Sequence, residues 1–128
     1  MKLKKVNIVL DCPDAQALAE FYIRLLGWKI SRPYSDGWMA IASPTGQIIA
    51  FQDVEDFEPP VWPWRTDKQA QMFHLDVVVE DLEAGVEHAM RCGALMAATQ
   101  YYTSSVTLID PAGHPFCIDT EVCPQASE

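Results

Sequence analysis

Asp110-Pro111-Ala112-Gly113-His114-Pro115-Phe116-Cys117 joins a proline-glycine turn to the start of an apolar strand. The same arrangement stands 67 residues earlier, in Ser43-Pro44-Thr45-Gly46-Gln47-Ile48-Ile49-Ala50. That shift also superposes Asp14 on Asp81 and Ala17 on Ala84. These identities fall at helix starts and turns, where backbone stereochemistry restricts residue choice, so they indicate a structural duplication.

Working outward, each repeat shows the same order of elements. Val6 to Leu10 alternates as a strand, and Asp14 is placed to cap a helix with Leu18, Phe21, Tyr22 and Leu25 on one stripe, closed by Gly27. Strands beginning at Trp28 and Trp38 follow, then Gln47 to Gln52 beyond the turn. In the second repeat Phe73 to Val79 reads as a strand. Asp81 caps a helix marked by Leu82, Val86, Ala89 and Met90 and closed at Gly93, and Val106 to Ile109 leads through the quoted turn into Phe116 to Asp119. The expected fold class is therefore α+β: a single domain over residues 1–128 made of two βαβββ modules, about 1–55 and 70–122, joined by a Pro/Trp-rich connector. One helix covers only one face of a four-stranded sheet. The free faces are expected to form a curved mixed sheet around a common cavity.

Composition narrows the partners. The net charge is -9, from 9 Lys and Arg against 18 Asp and Glu, with no basic cluster beyond Lys2, Lys4 and Lys5. Such a surface repels phosphate backbones, which disfavours nucleic acid and anionic membranes and leaves neutral or cationic small molecules. No apolar run reaches the length that spans a bilayer, and the first residues lack a signal-peptide core, so the expected location is cytoplasmic. Cys12, Cys92, Cys117 and Cys123 lack CxxC spacing and read as ordinary thiols. The polar segment 121–128 is expected to fray, which sets Cys123 aside as a catalytic candidate.

Strand alternation nominates the site. With Val6, Ile8 and Leu10 under the first helix, Asn7, Val9 and Asp11 face the cavity. His74 and Asp76 do so in the second module, as do Ala50 and Cys117 after the two turns, and the repeat pairs Asn7 with His74 and Ala50 with Cys117. His74 is either a hydrogen-bonded half-buried imidazole or a pocket residue; Cys117 is either a soft wall residue or a functional thiol. Asp76 orients His74 only if the strand twists, since residues two apart are separated by roughly 6.5 Å. Asp11 and Asp119, near strand ends, are expected to be solvated. His114 serves the turn or the rim. Phe57, Trp62 and Trp64 in the connector either roof the cavity, with Trp38 and Tyr34 adding aromatic wall, or pack on a sheet edge.

Three segments carry a family resemblance. Asp11-Cys12-Pro13-Asp14 leads to Ala19-Glu20-Phe21-Tyr22 and Leu25-Leu26-Gly27-Trp28; Phe73-His74-Leu75-Asp76-Val77 opens the second half; the quoted turn closes it. In this order they resemble the vicinal oxygen chelate superfamily, in its glyoxalase-like and bleomycin-resistance-like branch, over nearly the whole chain. The resemblance implies a glyoxalase-like fold and a homodimer. In metal-dependent members it implies a divalent ion held at the places of Asn7, His74, Ala50 and Cys117. Only His74 matches, so neither a metal nor a cofactor is expected. The implied function is binding or sequestering a small molecule, as in drug-sequestering members. The alternative is a metal-independent lyase, isomerase or hydrolase with His74 as general base and Cys117 as acid or nucleophile. A third reading is a protein-binding module anchored by Trp62 and Trp64.

Overall fold

The computed structural model describes residues 1–121, and Cys123 with the rest of the polar terminus lies outside them. Contacts divide the chain into two compact units, one over Met1–Phe57 and one from Glu58 onward. In the first, β1 (Ile8–Cys12), α1 (Ala15–Leu26), β2 (Lys29–Ser35), β3 (Trp38–Ala42) and β4 (Ile48–Asp53) form a sheet of order β1-β4-β3-β2 under one helix. β1 runs parallel to β4 and the other pairs are antiparallel. The apolar stripe of α1 buries Leu18, Phe21, Tyr22 and Leu25. Tyr22 stacks on Phe51 at 5.7 Å and meets Phe21 edge-on at 4.9 Å. Each of these buried aromatics contributes about 2 kcal/mol relative to an exposed ring.

The second unit repeats the plan. β5 (Asp76–Val78), α2 (Leu82–Cys92), β6 (Leu95–Met96), β7 (Ser105–Ile109) and β8 (Pro115–Asp119) give the order β5-β8-β7-β6, with β5 parallel to β8. The correspondence extends to single hydrogen bonds. Asp14 Oδ1 accepts the Ala17 N–H at 3.1 Å, and Asp81 Oδ1 accepts the Ala84 N–H at 3.1 Å, so both helices start with the same cap. In the turns Gly46 N–H donates to the Ser43 carbonyl at 3.0 Å, and Gly113 N–H to the Asp110 carbonyl at 2.9 Å. Ser43 Oγ accepts from Gln47 N and Asp110 Oδ1 from His114 N, at 2.9 and 3.0 Å. Both glycines have positive φ, 90° and 100°, which explains why the repeat keeps glycine there.

One expectation is overturned. Both βαβββ modules form, but not the curved mixed sheet around a cavity: there are two separate, open four-stranded sheets, and no ladder joins them among the described residues. The first strand of each module pairs with that module's own fourth strand and ends as an edge. Alternation assigns residues to faces but carries no information about which edges pair, and this is where the expectation failed. Among the described residues, no helix is long and apolar enough to cross a membrane.

Candidate functional site

The cavity with the richest chemistry lies within the second unit, on the face of its sheet away from α2, and measures about 370 Å³. The face assignment follows from packing. Ile118 and Val79 point their methyls at Gly85 of α2, so Cys117 and Asp119 project from the opposite side of β8. Register then builds a polar floor: Asp76 of β5 pairs with Cys117, Thr107 of β7 flanks Cys117 on its other side, and Ser105 lies opposite Asp119. Trp62, Gln71, His74 and Tyr102 complete the wall.

His74 lies two residues before the first residue of β5, Asp76. Its Nε2 stands 3.0 Å from Asp76 Oδ1, and its Nδ1 lies 3.3 Å from the Gln71 amide. The His74 and Asp76 side chains are 38% and 43% exposed, so the pair forms the edge of that floor that opens to solvent at the cavity mouth. Cys117 is deeper, with its Sγ 3.6 Å from Thr107 Oγ1. Donor atoms of His74, Asp76 and Cys117 all fall within 4.8 Å of one another.

Asp119 departs from expectation. It is fully buried rather than solvated, and neither carboxylate oxygen has a hydrogen-bond partner among the described residues. Burial first, and then the neighbouring Asp76 carboxylate, push its acid above the usual range, against the nearby Ser105 hydroxyl and the His74 ring. Burial also raises the Cys117 thiol, while hydrogen bonds with Thr107 and Ser105 act the other way.

The other nominated residues are distributed as follows. Asn7, Trp38, Ala50 and Phe57 belong to the first unit, whereas the cavity described above is built by residues of the second. His114 holds the β7–β8 turn through its backbone, its carbonyl accepting from Asp110 N at 2.9 Å. Trp64 is 60% exposed in the connector. Trp62 reaches the cavity, anchored by donation from Nε1 to the Thr99 carbonyl at 3.2 Å and by edge-on contact with Tyr101 at 5.7 Å. Gln71, Tyr102, Ser105 and Thr107 were not singled out in the sequence. The alternation of Ser105 and Thr107 with Val106 and Leu108 was the available signal for two of them.

The model of the glyoxalase-like domain family matches residues 7–118. The chain belongs to the glyoxalase-like domain family. No curated protein matches its sequence. Among solved structures, this glyoxalase-like domain is similar to a glyoxalase/bleomycin resistance protein/dioxygenase family enzyme from Burkholderia phytofirmans PsJN. The TM-score is 0.64 at 16% identity, covering 88% of this chain and 94% of that one. It is also similar to the fosfomycin resistance protein FosX from Mesorhizobium loti (TM-score 0.67, 11% identity, 96% and 95% covered). The FosX protein of Listeria monocytogenes gives TM-score 0.67 at 13% identity, with 96% and 94% covered. These likenesses establish the fold. The four-position metal set that the superfamily implies does not fit this glyoxalase-like domain, because Ala50 offers a methyl group where a donor atom is required.

Proposed function

We propose that this glyoxalase-like protein binds a small organic molecule in the cavity of its second module. The observation that carries the reading is the make-up of that cavity: about 370 Å³, with Trp62 and Tyr102 on the wall and Asp76, Thr107, Cys117 and Asp119 on the floor. Aromatic surface with a few convergent polar groups is the usual composition of a small-molecule site. Two carboxylates and a net charge of -9 favour an uncharged or cationic ligand with a planar body that stacks on Trp62. The enzymatic alternative, with His74 as base and Cys117 as nucleophile, gains less support. Cys117 Sγ is engaged with Thr107 and Ser105, and His74 with Asp76 and Gln71. We also propose a homodimer, as the resemblance to the superfamily implies.

Native mass spectrometry of freshly purified protein is expected to retain an organic adduct, and a thermal-shift screen of small aromatic amines and neutral planar compounds is expected to yield a ligand. Trp62→Ala should weaken that ligand about tenfold or more, the loss of one stacked aromatic contact. A ligand whose affinity survives both Trp62→Ala and His74→Ala would place binding elsewhere, and a screen without any ligand would count against the reading.

A further inference from the structure

We propose that the second module holds a zinc ion of its own, bound by His74 Nε2, an Asp76 carboxylate oxygen and Cys117 Sγ, with the Asp119 carboxylate as fourth donor. The set lies on one module and needs neither Asn7 nor Ala50, so it differs from the arrangement shared between modules that the superfamily implies. It also goes beyond organic-ligand binding.

The first support is geometric. The three donor atoms already lie within 4.8 Å of one another without an ion between them. Around tetrahedral zinc, bonds of about 2.0–2.3 Å place neighbouring donors roughly 3.3–3.8 Å apart. Closing that gap takes about 1 Å, within reach of side-chain rotation for His74 and Asp76, which are partly exposed at the cavity mouth.

The second support is independent of the cluster. Asp119 lines the same cavity, is fully buried, and has two carboxylate oxygens with no hydrogen-bond partner among the described residues. Buried charge without partners is costly, and pairing with a metal ion is one of the two usual ways such a group is retained. Asp119 stands two residues after Cys117 on the same face of β8, so both donors point into one space.

Donor chemistry selects the metal. A thiolate, an imidazole and carboxylates suit zinc, whereas magnesium and calcium prefer an all-oxygen shell. Gln71 supplies the outer layer. Its amide is 3.3 Å from His74 Nδ1, and its buried Oε1 has no partner among the described residues. Turned by half a revolution, the amide presents that oxygen to the Nδ1–H that ligation through Nε2 requires.

Cobalt(II) titration of chelator-treated, reduced protein tests the proposal, since cobalt replaces zinc and reports its ligands in the spectrum. One equivalent should produce the intense visible bands of a tetrahedral ion and a thiolate-to-cobalt charge-transfer band, both removed by zinc. Cys117→Ser should abolish the charge-transfer band. His74→Gln and Asp119→Asn should each weaken cobalt about tenfold or more. Cys92→Ser should keep the band, which excludes the Cys92–His88 pair on α2, whose Sγ–Nε2 distance is 3.8 Å. A weak octahedral spectrum in the wild type, or a charge-transfer band that persists in Cys117→Ser, overturns the proposal. So does unchanged affinity in His74→Gln, a partly exposed position where folding is not at stake. No organic ligand enters this experiment, so its failure is distinct from failure of the binding reading.

Discussion

At Asp53 three segments of the first module meet. Its Oδ1 accepts the Ala15 N–H at 2.6 Å, which ties the first turn of α1 to the end of β4, and its Oδ2 accepts the Tyr34 hydroxyl from β2. A carboxylate holding a helix N-terminus offsets the unsatisfied amides and the positive end of the helix dipole. The Tyr34 hydroxyl is raised above its ordinary value of 10.0, chiefly because its proton is held by Asp53. A raised folded-state value means that the proton is bound more tightly in the native than in the unfolded chain. The contribution is full below about pH 10 and fades as pH rises through the folded value. Tyr34→Phe should therefore lower the urea midpoint at neutral pH, and the difference from wild type should narrow in strongly alkaline buffer. Equal midpoints at neutral pH would show that the hydroxyl contributes nothing.

Among the elements, the two equivalent turns form a natural pair for comparison. A Cβ at Gly46 would meet nothing within 4 Å, whereas one at Gly113 would stand 2.6 Å from Pro59 Cβ, where the connector lies against the turn. Gly46→Ala should cost only the positive-φ penalty, about 1 kcal/mol, and Gly113→Ala about 3 kcal/mol once overpacking is added. Urea unfolding of the two variants measures the difference, and equal losses would mean that the connector does not press on the turn. These turns and the Asp14 and Asp81 caps were legible in the sequence because their geometry is set within four or five residues. The site was less so. Alternation placed His74, Asp76 and Cys117 on one side, but the 3.0 Å approach of His74 to Asp76 depends on side-chain rotation, which a strand pattern does not specify. Asp119 looked like a solvated strand end, but it is fully buried and lines the same cavity as Trp62 and Gln71, residues far from it in sequence that alternation cannot place. Gln100 was silent too: its amide accepts from Thr107 N and donates to the Thr107 and Ala97 carbonyls, each at 2.8 Å, clamping the Tyr101–Tyr102 loop beside β7.

For the molecule as a whole, the decisive balance is between exposed apolar surface and like charge. β5 is an edge strand of three residues, and on or beside it Met72, Phe73 and Val78 are 90%, 63% and 51% exposed. An uncovered apolar edge of this kind is a template for association, and a second copy of the chain supplies a matching apolar edge. Against this, each copy carries a net charge of -9, so bringing two together is opposed by repulsion that salt screens over about 8 Å at physiological strength. The expected behaviour is a homodimer that tightens as salt is added, opposite to an interface held by ion pairs. Analytical ultracentrifugation across a salt series reads this directly. Phe73→Asp should weaken the dimer about tenfold or more by placing a charge in the apolar contact. A monomer throughout, or a dimer that weakens with salt and ignores Phe73→Asp, would assign this apolar surface to something other than self-association.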